Sequence, residues 1–549
     1  MVNWQKFLLK FVEVGIIIFR LFIEPFGLYK VNSNKLIPEE PPGPVPSPAR
    51  ISIDALTVQG EIDPYIYGSF IEVLGRCIYG GIWDPTNRHV PLKHGGLRED
   101  VLQEIRALKP TIIRWPGGCF SDVYEWKGGI GPQNERRRLP NKHWGLYGPK
   151  IGPKHDNSFG SDEYMTFLSE VNSVPYVNVN FGSGTAEEAA QWVEYMNGDR
   201  TTEYGGLRAK NGHPAPYNVK IWGIANEIFG NWEKGNLPAA DYARRYIGFA
   251  KAMRERDPSI KLVAVGTDFD YPNWNETLLE IAGDFVDYLS LHVYIPAKAL
   301  LTVSNTQEFF YRIIAGGFEI ERRIQWVSAK IKEVMGEEKL IPIALDEWGA
   351  WWNIRQLYEG YYTLRDGLFA ATVFEVLHRN AGVVRMANYA QLVNVIPLIV
   401  TSETDVYHNP VYLAFKLFSN YAQQFTLSTD VECENRVIPP FGNISATEIP
   451  YLGCSVTINK EKDTLVIIGI NRHHAHDLPT MISIQGFNPA PHAPIFELNG
   501  PFHSAYNDFH KKNAVQIHEK QFKAAAPEFE YIFPAHSITV IILSSSEKI

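Results

Sequence analysis

The chain has 549 residues, 45% of them hydrophobic, 13% aromatic and 21% charged, the make-up of a soluble globular enzyme long enough to bury a large core. Its formal net charge of −9 argues against nucleic acid as a partner, because polyanions are drawn to a basic face. Four cysteines, Cys77, Cys119, Cys433 and Cys454, with no Cys-x-x-Cys spacing, signal neither a zinc site nor a disulfide scaffold and suit a reducing, cytoplasmic setting.

Residues 1–48 differ in character from the rest of the chain. Positions 7–23 are apolar but interrupted by Lys10, Glu13 and Arg20, so the longest uncharged stretch, 14–19, falls short of a membrane span of roughly 20 residues. Peripheral membrane contact through residues 1–24 stays open beside a docked or disordered extension. A proline-rich linker at 41–48 marks the boundary of the globular part. Short strands are predicted at 50–56 and 65–70. The segment 49–66 has no partners nearby and is expected to pair with the C-terminal domain.

Between 67 and 400, strand and helix alternate. Apolar runs near 68–72 and at 112–115, 176–181, 219–224, 262–267, 288–294, 341–345 and 383–387 read as eight parallel strands. Amphipathic segments at 97–108, 186–196, 239–256 and 362–378 read as helices between them. The pattern predicts an α/β fold, a (β/α)8 TIM barrel. From 401 to 549 the helical period disappears, and runs at 451–457, 464–471, 480–484 and 537–543 read as an antiparallel β-sandwich of jelly-roll type.

Two of the barrel strands end in carboxylates, in Ile221-Trp222-Gly223-Ile224-Ala225-Asn226-Glu227 and Ile341-Pro342-Ile343-Ala344-Leu345-Asp346-Glu347-Trp348. A barrel presents its catalytic groups at the C-terminal ends of its strands, and 120 residues between the two glutamates is about three strand-helix units of roughly 40 residues. They are therefore expected on strands such as the fourth and the seventh. One strand-terminal glutamate is as readily a helix cap as a catalytic group. Two of them, beside Trp222, Trp232, Trp348, Trp351 and Trp352, point to a sugar site, because the C–H faces of a sugar ring pack on indole while its hydroxyls need charged or amide partners.

The motifs Phe70-Ile71-Glu72, Arg114-Trp115-Pro116-Gly117-Gly118-Cys119-Phe120, His143-Trp144-Gly145, Asn226-Glu227, His292-x-Tyr294, Asp346-Glu347-Trp348 and Met386-Ala387-Asn388-Tyr389-Ala390-Gln391 occur in order over roughly 50–420. In this set the chain resembles the α-L-arabinofuranosidases of glycoside hydrolase family 51. The resemblance implies a retaining hydrolase acting on arabinan, arabinoxylan or their oligosaccharides, with no metal and no organic cofactor, assembled as a hexamer. It implies Glu227 as general acid/base and Glu347 as nucleophile. Glu72, Arg114, Cys119, Asn226, Tyr294, Trp351 and Gln391 would meet the sugar or the nucleophile, and Trp126 would shape the pocket. His292 is expected to orient a carboxylate, and Trp115 and Trp222 to belong to the core. The chain departs from the family at Ser69 and Val73, where histidines are usual, and at Gly349-Ala350, changes that bear on the pocket wall and the leaving group. An endo-glucanase or xylanase on the same fold and a carbohydrate-binding protein without catalysis are the alternatives.

Overall fold

A computed structural model describes residues 42–296, 307–351 and 362–546. The extension considered for membrane contact and Trp352 lie outside them. No helix among the described residues is long and apolar enough to cross a membrane.

Eight parallel strands close into a barrel: Gly68–Phe70, Ile112–Trp115, Val174–Val179, Ile221–Ile224, Lys261–Ala264, Tyr288–Ile295, Ile343–Ala350 and Val384–Tyr389. They are numbered first to eighth in that order, so Glu227 follows the fourth and Glu347 lies in the seventh. Strands such as Ile221–Ile224 are buried at every position, which is why they read as continuous apolar runs. Helices cover them outside. Ala239–Arg256, for example, buries Tyr242, Ala243, Tyr246, Phe249, Ala250 and Met253 at three- and four-residue spacing and turns its charged face outward.

Two expectations are corrected. The stretch 65–70 is not one strand: Asp63 accepts the Tyr65 N–H at 3.0 Å and Pro64 opens a 3-10 turn, Pro64–Tyr67, ahead of the short first strand. Nor does helix end near 400. Pro410–Tyr421 is a further helix, packed on Leu364–Arg379 and Glu99–Leu108.

The C-terminal region is a nine-stranded sheet, antiparallel but for one pair. Ala49–Glu61 lies inside it, antiparallel to Phe425–Glu432 and parallel to Leu478–Gln485. Ile51, Ile53, Ile467, Ile482 and Phe533 build its core. Against the barrel, His378 is held between the Tyr67 hydroxyl (2.7 Å) and the Ser455 hydroxyl (2.6 Å), and Arg472 pairs with Glu375.

Inside the barrel, a layer of Ile112, Tyr176, Ile221, Val263, Ala344 and Met386 forms the apolar floor. Two residues further along four of these strands the same face turns polar, at Arg114, Asn178, Asp346 and Asn388, as the two-residue period of a strand requires, while the fifth strand's counterpart is Val265. Gly223 takes that position on the fourth strand. A Cβ there would fall 1.8 Å from Asn178 Oδ1, so its lack of a side chain makes room for the amide.

Candidate active site

Asp346 and Glu347 are consecutive, and in a regular strand they would face opposite sides. The register of the seventh strand shifts between Ala344 and Glu347 against one neighbour and between Leu345 and Trp348 against the other. This irregularity turns both carboxylates inward, the re-aiming that bulges at barrel rims provide. Asp346 takes the deeper place, accepting from the Tyr176 hydroxyl (2.7 Å) and the Ser290 hydroxyl (2.5 Å). Glu347 sits above it, accepting from an Arg114 guanidinium nitrogen at Oε1 and from the Tyr294 hydroxyl at Oε2 (2.7 Å). Arg114 is 1% exposed; burial works against its charge, but Glu347 and Asp346 outweigh burial and raise its pKa.

The fourth strand turns sharply at its end, with φ of +78° at Ala225 and +40° at Glu227, left-handed values that cost a non-glycine residue free energy. The turn aims Glu227 across the mouth. Its Oε2 accepts from Trp232 Nε1 (2.8 Å), and its Oε1 lies 2.9 Å from His292 Nδ1. His292 stands between the two glutamates, its Nδ1 3.7 Å from Glu347 Oε2 and its Nε2 3.4 Å from Asp346 Oδ1. Burial opposes a charge on the ring, but Glu347, Asp346 and Glu227 outweigh it and raise His292 to about 10. Burial raises Glu227 too, yet the His292 cation and the Trp232 N–H more than offset it and hold the carboxyl below its ordinary range.

Glu72 lines the opposite wall. It accepts from Trp144 Nε1 (2.7 Å), the Phe120 N–H (2.9 Å) and Gln391 Nε2 (3.1 Å). Burial, against those donors from Trp144 and Phe120, pushes it up to about 7. Asn226 accepts from Arg114 at Oδ1 (3.3 Å). Cys119, Tyr294, Trp351 and Gln391 line the same cavity of about 460 Å³ as Glu72, Glu227 and Glu347, a volume within the range of small-ligand pockets. Trp351 packs edge-on against Tyr294, ring centroids 5.6 Å apart.

Trp126 does not shape the pocket. It is 1% exposed, stacks on Trp192 at 5.9 Å and donates to the Glu188 carbonyl (3.1 Å), so it belongs to the core behind the wall. Trp115 and Trp222 are also buried core residues.

A family model described as the α-L-arabinofuranosidase 1 domain matches residues 104–309, and one described as the α-L-arabinofuranosidase C-terminal domain matches 346–537. α-L-Arabinofuranosidase C of Emericella nidulans is 32% identical over 92% of this chain and 98% of that protein. An intracellular exo-α-L-arabinofuranosidase of Bacteroides ovatus is 32% identical over 90% of this chain and 95% of that one. The thermostable GH51 α-L-arabinofuranosidase of Thermotoga petrophila superposes with a TM-score of 0.82 at 35% identity, covering 90% of this chain and 99% of that one. The chain belongs to the family 51 α-L-arabinofuranosidases. It hydrolyses arabinofuranosides.

Within this arabinofuranosidase several groups around the cavity escape sequence reasoning. Asp122 takes three backbone N–H groups, from Phe181, Gly182 and Asn226, and so ties the second, third and fourth strand ends together. Asp268, Asp270, Arg323 and Asn443 line the far side of the cavity, Asn443 reaching in from the C-terminal region to donate to the Tyr294 carbonyl (2.9 Å). No local spacing announces them, because each reaches the site from a loop or helix distant in sequence.

Proposed function

We propose that the chain is an exo-acting, retaining enzyme that removes terminal α-L-arabinofuranosyl groups from arabinan, arabinoxylan or their oligosaccharides, with Glu347 as nucleophile and Glu227 as acid/base. The observation that carries this reading is the closeness of the two carboxyls. Ligand-capable atoms of Glu227, His292 and Glu347 all lie within 4.8 Å of one another. Carboxyls about 5–5.5 Å apart belong to double displacement, since a direct attack by water between them needs about 6.5–9.5 Å.

Arg114 and Tyr294 keep Glu347 oriented at the anomeric carbon. His292 and Glu227 hold one titrating proton across their 2.9 Å contact, so the acid is the pair rather than the carboxyl alone. Delivery of that proton to the departing oxygen leaves Glu227 as a carboxylate, which then draws a proton from the water that opens the glycosyl-enzyme. Asn226 meets the 2-hydroxyl of the sugar, where hydrogen bonding strengthens as the ring approaches an oxocarbenium ion. The exo action and an intracellular place of action follow the Bacteroides relative's description, and the four free thiols suit a reducing compartment.

Proton NMR of the first product released from an aryl α-L-arabinofuranoside tests the reading. The α anomer is expected before mutarotation, and early β anomer would remove Glu347 from the role of nucleophile.

A further inference from the structure

Behind the wall that carries Glu227 lies a carboxylic acid that this reaction scheme leaves unused. Glu233 stands in the turn after the fourth strand: its N–H donates to the Gly230 carbonyl (3.1 Å), and the Gly230 N–H donates to the Glu227 carbonyl (2.7 Å). The turn therefore folds Glu233 back beneath the strand end that it follows. Its side chain is buried, 5% exposed, and does not line the cavity. Oε1 accepts from Asn226 Nδ2 at 3.0 Å, and Oε2 is buried without a hydrogen-bond partner.

Asn226 is fixed from several directions. Its backbone N–H donates to Asp122 (2.9 Å), its Nδ2 donates to Glu233 and lies 3.8 Å from Cys119 Sγ, and its Oδ1 accepts from Arg114. With the amide protons committed to the far side, Oδ1 keeps a second lone pair on the side of Gly118. A Cβ placed on Gly118 would lie 3.7 Å from that oxygen and 3.0 Å from Glu347 Oε1, so the two oxygens face the same small space. A hydroxyl beside the anomeric carbon can donate into it.

The groups that face Glu233 are Asp122, Glu227, Cys119 and Tyr147, none of them basic; Arg245 acts on Asp122. Three carboxyls gathered in a dry wall do not all ionise at once. Burial first, then the charges of Asp122 and Glu227, push Glu233 up to about 9.

We propose that Glu233 is a positioning residue: as an uncharged acid it accepts the Asn226 amide and holds that amide's oxygen toward the sugar's 2-hydroxyl. The proposal rests on the role of Asn226 at that hydroxyl. The test compares kcat/KM of wild type, Glu233→Gln and Glu233→Ala on 4-nitrophenyl α-L-arabinofuranoside and on its 2-deoxy analogue at pH 7. Glu233→Ala is expected to lose about 30-fold on the parent substrate and under about 3-fold on the 2-deoxy one, while Glu233→Gln, neutral and still an acceptor, stays within about 3-fold of wild type on both. Should the alanine variant not fold, Glu233→Met fills the space without the acceptor and carries the same expectation. Equal losses on both substrates would make Glu233 structural and overturn the proposal. So would Glu233→Gln as impaired as Glu233→Ala, which would mean that the ionised carboxylate is needed. Wild type that handles both substrates alike would instead remove the role of Asn226, and the proposal with it.

Discussion

The strand ends that carry Glu227 and Glu347 begin from the same kind of sequence, an apolar run closing on Asn-Glu or Asp-Glu, and finish in opposite surroundings. Glu347 meets a buried guanidinium and a tyrosine hydroxyl, both of which donate to it. Glu227 meets a titrating imidazole and an indole N–H, with two further buried carboxyls, Asp122 and Glu233, in the wall behind. On the proposed roles, what separates a nucleophile from an acid is carried by residues from other strands, while the motif itself supplies only the place at the barrel mouth.

The comparison breaks most severely at Glu347, the proposed nucleophile. Glu347→Ala should lower kcat/KM by about 10⁴-fold or more on aryl and sugar leaving groups alike, measured by steady-state kinetics, since no leaving group compensates for the missing covalent step. Arg114→Gln keeps Glu347 but removes the charge that steadies it. We expect a loss of about 10²–10³-fold in kcat/KM, together with a lower Tm by calorimetry, because Glu347 and Asp346 would be left buried with His292 as their remaining cationic neighbour. The smallest effect belongs to the other wall. Trp232→Phe deletes an N–H that favours the ionised form of Glu227, so the pKa of that carboxyl rises. The limb of the pH profile that requires a protonated acid should move to higher pH, with a loss of about tenfold or less at the optimum.

Much of the architecture is legible in the sequence because both faces of the barrel strands are buried, which makes them plain apolar runs bounded by turns. The run 112–115 coincides with a strand from end to end, and 239–256 with a helix. Pro410–Tyr421 is the helix that the reading of 401–549 as strands alone passes over. It packs against barrel helices and strands of the C-terminal sheet, burying Pro410, Val411, Tyr412, Ala414, Phe415, Leu417 and Phe418 at helical spacing and leaving Lys416, Ser419 and Asn420 half-buried, so its period is present in the sequence. At the site, Glu227 and Glu347 are readable as strand-terminal acids, and Glu72, Arg114, Asn226, Tyr294 and Gln391 through the ordered motifs. Asp122 and Glu233 are not, since their proximity to Asn226 depends on how two loops fold back. The resemblance assigns Trp126 to the pocket wall, but its stacking on Trp192 belongs to packing that a motif does not encode.

The central claim is that the two glutamates divide the work, and azide tests it most directly. An activated aryl arabinofuranoside needs little proton assistance, so Glu227→Ala should still form its glycosyl-enzyme and then stall for want of a base. Added azide should restore turnover and yield an arabinofuranosyl azide with the substrate's α configuration, while any azide product of Glu347→Ala should be β, both assigned by NMR. Glu227→Ala giving the β azide, or Glu347→Ala giving the α azide, would contradict the assignment of the two roles.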